Sequence, residues 1–310
     1  MSHREIDITG LGSVGPCGAV SGPLHGPFPA PSVVTAWPTV AARYALPALP
    51  FRTADVLPKV NTRRLDRLST WSLAAAALAL RDAGLDLSAE DGWRTAVVSA
   101  IGFGCLDLTE AYLGSVHEHG WQQTDPIYFP ETLGNVPAAH VGRVFGCLGP
   151  NLTVGSRGLA AEAALLTAAS LLRVGQADRV LVLAGDALTR GLFDWYEAAG
   201  VLSADGSGFV PSEGVAALVL ESAGRQRARA RLLDARWVHS AEAFSSQAGA
   251  TLVCKGRSLC AIGDGLPETG GLFRILTALA TSAPAEQLLV LGVARRGSHA
   301  MAVLEVPAHD

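Results

Sequence analysis

The segment from residue 152 to residue 184 constrains the fold more than any other part of the sequence. A short strand (152–154) precedes a glycine turn (155–158) and a nearly all-apolar helix (159–173). After Gly175, the run RVLVLA (179–184) has the continuous apolar character of a strand that is covered on both faces. A helix that is apolar on every side lies between other layers. The segment therefore predicts an α/β fold in which sheets and helices are stacked.

A weaker copy of this unit occurs near the end of the chain. It has a glycine turn at 263–271, a helix at 272–280 and a strand at 287–293, and a final strand is predicted at 301–306. Two such units indicate an internal duplication, with halves at 1–224 and 225–310. Between the units, residues 215–220 and 232–239 are predicted to be adjacent strands. They flank an arginine-rich turn that contains Arg225, Arg227, Arg229 and Arg231.

The N-terminal segment contains a glycine pattern that mimics a dinucleotide-binding motif. Gly10, Gly12 and Gly15 spell GxGxxG, but that motif binds a pyrophosphate only when a helix begins inside it. Pro16 and five more prolines up to residue 38 prevent a helix there. We therefore expect a glycine turn that enters an irregular, proline-rich loop at 19–60.

The middle of the chain gives simpler signals. Alanine-rich sequence predicts a helix at 65–83 that ends at Gly84, and TAVVSA predicts a buried strand at 95–100. Further helices are expected at 106–116 and 136–145, with a loop up to residue 130.

Composition excludes several classes of function. The 310 residues are 49% hydrophobic and 17% charged, with a net charge of −4, which excludes disorder and argues against a nucleic-acid partner. No run of about 18 apolar residues predicts a membrane span. The five cysteines lack metal-ligand spacing, and His117 and His119 diverge on a helix. The first ten residues, MSHREIDITG, do not show the basic-then-apolar pattern of a secretion signal. We expect a reduced, cytoplasmic protein without a metal site.

Four collinear segments resemble the β-ketoacyl synthase branch of the thiolase-fold condensing enzymes. They are ITGLGSVGPCG (8–18), LDRLSTWSLAAAALALRDAGLD (65–86), FPETLGNVPAAHVGRVFGCLGPNLTV (129–154) and GFVPSEGVAALVLES (208–222). The resemblance implies a thiolase-like fold, layered α-β-α-β-α with internally duplicated halves, in which the second half is truncated.

The positions that carry catalysis in this family are changed. The alignment implied by the resemblance puts Gly158 where the family has its nucleophilic cysteine, at the start of the buried helix. It puts Asp264 where the second catalytic histidine is expected, and a carboxylate would oppose the negative charge of an enolate. The stretch with the first histidine has no counterpart. The resemblance therefore implies that condensation has been lost.

The nearest functional relatives implied by the resemblance are chain-length-factor-like subunits of type II polyketide and aryl-polyene-type systems. Such a subunit pairs with an active ketosynthase and shapes its acyl tunnel, in polyketide or fatty-acid-like synthesis. The acyl chain arrives on the phosphopantetheine of a carrier protein, and the subunit needs no cofactor of its own. The tunnel or interface candidates are Tyr128, Phe129, Thr132 and Leu106, which could equally be ordinary interface or core residues.

Alternatives remain at this point. Ser156 could act as a non-cysteine nucleophile of an acyltransferase or thioester hydrolase, with Asp264 or Glu268 as its base. A homodimeric protein that holds acyl chains is a third interpretation. The arginines at 225–231 could dock an acidic carrier protein, but a solvated strand edge explains them more simply.

Overall fold

The described part of the chain alternates strands with helices. A computed structural model describes residues 5–37, 43–87, 89–156, 158–224, 228–238, 251–254, 270–293 and 299–307. The strands are β1 Ile6–Gly15, β2 Gly18–Ser21, β3 Ser32–Val33, β4 Tyr44–Ala45, β5 Thr95–Ala100, β6 Asn151–Val154, β7 Arg179–Asp186, β8 Gly214–Ser222, β9 Ala230–Val238, β10 Thr251–Cys254, β11 Gln287–Val293 and β12 His299–Glu305.

The helices separate these strands in the order that the sequence predicts. They are α1 Thr53–Val56, α2 Arg67–Ala83, α3 Ala89–Gly92, α4 Leu106–His119, α5 Val136–Phe145, α6 Ala160–Arg173, α7 Arg190–Ala198 and α8 Gly271–Thr281. Two 3₁₀ helices, η1 Trp121–Gln123 and η2 Pro126–Thr132, follow α4. None of these described helices is long and apolar enough to cross a membrane.

Most described strands belong to one ten-stranded sheet, ordered β10-β11-β12-β9-β1-β8-β7-β5-β6 with β2 paired to β1. Its two parts repeat one pairing pattern. In the first, β5 is parallel to β7, which is antiparallel to β8, which is antiparallel to β1. In the second, β10 is parallel to β11, which is antiparallel to β12, which is antiparallel to β9. The repeated pattern supports the predicted duplication.

The predicted adjacency of the strands now called β8 and β9 is wrong. Strand β1 lies between them, because it pairs with β8 along most of its length and with β9 at Ile6, Asp7 and Ile8. Strands that are neighbours in sequence pair only about two thirds of the time. The division of the chain at residue 224 stays a prediction.

The order of the layers follows from two hydrophobic clusters, each formed by the side chains of helices and strands that pack together. Helices α6 and α8 contact strands of both parts of the sheet, and their side chains form one cluster with those strands. Helices α2 and α5 cover the opposite face of the first part, in a second cluster. The described elements therefore form four successive layers: helices α2 and α5, the first part of the sheet, helices α6 and α8, and the second part of the sheet. This order agrees with the predicted α-β-α-β-α layering. The outer layer beyond the second part of the sheet is not among the described elements.

The glycines of the GxGxxG pattern lie inside β1, so the predicted glycine turn is wrong. A Cβ atom on Gly10 would lie 2.2 Å from the Ala79 carbonyl oxygen, and one on Gly12 would lie 2.4 Å from that of Ala75. Both contacts are with the backbone of α2. These glycines therefore let a helix approach a strand closely, and β1 continues into the hairpin strand β2 rather than into the helix that a dinucleotide site requires.

Several local predictions need correction. The predicted irregular loop at 19–60 contains most of β2, the short pair β3–β4 and α1. The predicted loop before residue 130 contains η1 and most of η2, whose start is capped by the Asp125 side chain. Helix α7 was not predicted, although Thr189 caps it by accepting from the Leu192 N–H.

Candidate functional site

The residue at the predicted nucleophile position, Gly158, has no side chain. Gly158 has φ +78°, in the left-handed region that favours glycine, and it directly precedes the N-cap residue of α6. The turn is closed by a 2.9 Å hydrogen bond from the Leu159 N–H to the Ser156 carbonyl oxygen. A cysteine at this position would have to adopt a strained backbone conformation.

The first turn of α6 contains a buried charge that faces a charge on α8. Glu162 and Arg274 are 5% and 7% exposed, and Arg274 Nη2 donates to Glu162 Oε1 at 3.1 Å. The sequence contains one sign of this pair. A single acid in one apolar helix and a single base in its duplicate was the signal that could have paired them.

Ser156 is half-buried in the same turn. Among the described residues, its hydroxyl makes no hydrogen bond to a histidine or a carboxylate. The bases suggested for it, Asp264 and Glu268, lie outside the described residues. The described geometry therefore gives the alternative nucleophile no support.

Three of the tunnel candidates come together on η2. The Phe129 ring lies 5.8 Å from the Tyr112 ring of α4, and Thr132 Oγ1 donates to the Phe129 carbonyl at 2.7 Å. Tyr128 and Phe129 remain 41% and 52% exposed. Leu106 is placed differently, because it packs at the start of α4 against the cluster formed with α7.

Helix α4 is held by polar contacts. Its first turn receives a cap from Asp66, whose Oδ2 accepts from the Leu108 N–H at 3.0 Å while Oδ1 accepts from the Leu68 N–H of α2. Asp107 accepts from Arg67 Nε at 2.7 Å. Further along, Glu110 accepts from the Thr189 hydroxyl and the Gly191 N–H at the start of α7.

Helix α4 is only partly covered by the other described residues. No residue of this 14-residue helix is buried, and Leu113 is 59% exposed. Helix η2 contacts α4 and α5, and α5 contacts β6, the last strand of the described sheet. We call the exposed apolar residues on these elements the apolar face: Leu113, Ile127, Tyr128, Phe129, Leu133, Leu148 and Leu152.

A network of charges lies beneath α4. Arg67 Nη1 lies 3.0 Å from Oε2 of Glu213, which also accepts from the backbone N–H groups of Ala48 and Leu188. Burial raises the pKa of the Glu213 carboxyl, although the Arg67 charge opposes the shift. Burial likewise raises the pKa of Asp66 against the effect of its two backbone donors. These groups anchor α4 and α2 to the sheet.

Two of the four arginines near residue 228 are engaged within the chain. Arg229 pairs with Asp82, and Arg231 lies 3.4 Å from Asp7 and 3.5 Å from Glu5. Arg225 and Arg227 lie outside the described residues. The described arginines fit the simpler interpretation, a charged strand edge.

Two buried thiols, those of Cys105 and Cys147, should be inert. Burial raises the pKa of Cys105 and of Cys147 to about 12. At pH 8 neither forms thiolate, so in a Cys254→Ser/Cys260→Ser background only the half-buried Cys17 should react with a disulfide reagent in native protein. All three should react in guanidinium. Rapid native reaction of a Cys17→Ser variant in that background would contradict the assignment.

Comparisons with known proteins agree with this architecture. The family model "Beta-ketoacyl synthase, N-terminal domain" matches residues 50–225, more than half of the chain. The chain therefore belongs to the β-ketoacyl synthase family.

Curated relatives share limited sequence identity with this chain and match only part of it. The 3-oxoacyl-[acyl-carrier-protein] synthase 2 of Vibrio cholerae is 25% identical over 262 residues, covering 74% of this chain and 60% of the relative. Nodulation protein E of Rhizobium leguminosarum bv. trifolii is 30% identical over 182 residues, covering 56% of this chain and 45% of the relative. The chain thus spans only about half the length of these relatives.

Solved structures share the fold. The ishigamide ketosynthase/chain length factor matches with a TM-score of 0.76 at 20% identity, covering 98% of this chain and 100% of that one. The complex AntDE:AntF, a type II PKS acyl-carrier protein with its ketosynthase bound to the hexaketide, matches with a TM-score of 0.77 at 17% identity, covering 99% and 100%. The chain has a thiolase-like fold.

Proposed function

We propose that this chain is a non-catalytic, chain-length-factor-like subunit that pairs with an active β-ketoacyl synthase and shapes its acyl tunnel. The glycine turn at Gly158 supports the absence of catalysis, because it offers no nucleophile to an acyl thioester. One of the similar structures is a ketosynthase/chain length factor, which makes such a pairing a natural hypothesis for this chain.

The observation that carries the proposal is the exposed apolar face on α4 and the elements beside it. Polar contacts through Asp66, Asp107 and Glu110 fix the helix to the molecule, while no side chain of α4 is buried. Exposed apolar residues that cluster on neighbouring elements are typical of an interaction site. A ketosynthase partner that covers the apolar face would bury this surface and bring Tyr128 and Phe129 to the shared tunnel.

The carrier protein that delivers the acyl chain is a second proposed partner. Acidic surfaces are expected on such carriers, and the segment before α2 offers a matching charge. Lys59, Arg63 and Arg64 are exposed and make no ion pair with any described residue. We therefore place the docking of an acidic carrier at 59–64 rather than at the arginines around residue 228.

Co-expression with the ketosynthases of its genomic neighbourhood tests the pairing. Size-exclusion chromatography with light scattering should show a one-to-one complex for one of them. A Leu113→Arg/Phe129→Glu variant should bind at least about 100-fold more weakly, because charges would be buried at the interface centre. In an intact complex, Tyr128→Ala should change product chain length.

A matched control separates the interface from general effects. Val174 is 66% exposed at the C-cap of α6 and is not one of the residues of the apolar face, so Val174→Arg should bind normally. A homodimer that ignores every ketosynthase would overturn the proposal. A complex that tolerates Leu113→Arg/Phe129→Glu would overturn the assigned interface.

A further inference from the structure

The ion pair between Glu162 and Arg274 lies in the middle layer of the fold. Glu162 is the third residue of α6, and Arg274 is the fourth residue of α8, the equivalent helix of the second half. Both helices contact both parts of the sheet. The pair is therefore a direct polar link between the two duplicated helices at the start of each.

The surroundings of the pair are adapted to it. A Cβ atom on Gly271 would lie 2.7 Å from Oε1 of Glu162, so a larger residue there would displace the carboxylate from its present position beside α8. The neighbouring residues Leu272, Phe273, Ala161 and Leu165 are all buried and apolar. In such surroundings a charge without its partner is costly, and a direct pair is the arrangement that tolerates both.

The position of the pair is informative as well. Glu162 is four residues beyond Gly158, so it lies one helical turn from the place where the family resemblance expects the nucleophile. Its carboxylate lies between the first turns of α6 and α8, where it is paired with Arg274. Contact between an apolar acyl chain and a buried ion pair would be unfavourable.

We propose that Glu162 and Arg274 form a charge latch, a buried ion pair that holds the second half of the chain onto the first. The latch acts through α8, which packs against β10 and β11 as well as against α6. The inference does not depend on the proposed pairing with a ketosynthase, because both charges belong to this chain.

Three variants of the isolated chain test the latch. Glu162→Gln removes the charge that Arg274 contacts on α6, and Arg274→Met removes the charge that Glu162 contacts on α8, so each should lower Tm by about 10 °C. The double variant Glu162→Leu/Arg274→Met replaces the pair with apolar side chains and should recover most of this loss. Hydrogen exchange should become faster in β11 and β12 of the single variants, while β5 keeps its protection.

An exposed ion pair of similar length provides the control. Arg94 and Asp178 are joined at 2.9 Å with both side chains about half exposed, so Arg94→Met should shift Tm by no more than about 2 °C. If the single latch variants are insoluble, a soluble double variant gives the same support. Single variants that melt like the control, or a double variant that is as unstable as the sum of the singles, would overturn the proposal.

Discussion

Alanine at Gly12 is expected to destabilise the protein strongly. The new Cβ atom would lie 2.4 Å from the Ala75 carbonyl oxygen and 2.5 Å from the Ala79 nitrogen, both in the backbone of α2. Neither atom can move without shifting a helix whose buried residues fill the core against β1 and β8. We expect a loss of about 3 kcal/mol or more in the free energy of unfolding, a large part of the stability of an ordinary domain.

Gly15 in the same motif is the matched control. Its Cβ atom would lie 3.4 Å from the Glu213 carbonyl oxygen and 3.5 Å from the Phe273 ring, which are ordinary contacts. Gly15→Ala should therefore change the free energy of unfolding by less than about 1 kcal/mol. Urea denaturation of both variants makes the comparison. Equal stability of Gly12→Ala and Gly15→Ala would show that α2 does not approach β1 as closely as described.

Removing the carboxylate of Asp66 should weaken two helices at once. The side chain is 1% exposed and accepts from the Leu68 N–H at 2.8 Å and from the Leu108 N–H at 3.0 Å. Each helix start loses an acceptor in Asp66→Ala, so we expect a loss of about 2–4 kcal/mol in the free energy of unfolding. Hydrogen exchange should show the effect in α4 as well as in α2, because one carboxylate serves both.

Two substitutions calibrate the effect of Asp66. Asn at position 66 keeps one carbonyl acceptor, so Asp66→Asn should lose about half as much. Asp55, in the first turn of the short helix α1, is largely exposed, and Asp55→Ala should be close to neutral. If Asp66→Ala accelerates exchange in α2 alone, the shared cap is refuted.

The local patterns of the sequence predict much of the fold. The helix bounds of α5 and the strand bounds of β5 and β11 agree with the prediction, and Gly84 ends α2 with φ +65°. These elements are defined by contiguous residues, whose periodicity and caps are readable in one stretch. Helix α7 could have been found in the same way from Thr189 and the amphipathic residues behind it.

Features that depend on distant residues could not be predicted. The glycines of β1 are explained by α2, about 65 residues away, and the insertion of β1 between β8 and β9 joins strands more than 200 residues apart. The pairing of Glu162 with Arg274 spans 112 positions. The position of Gly158 in a left-handed turn was consistent with the sequence, but the charge pair one turn further on required the packing of two helices.

The exposed apolar face also affects the amount of this protein that accumulates in a cell. Under the proposed pairing, a copy without its partner displays Leu113 and Phe129 to solvent, and such surfaces are recognised by chaperones and proteases. Excess copies would be degraded, and copies in a complex would be spared. The ratio of the two subunits would then be set after translation, by survival rather than by synthesis.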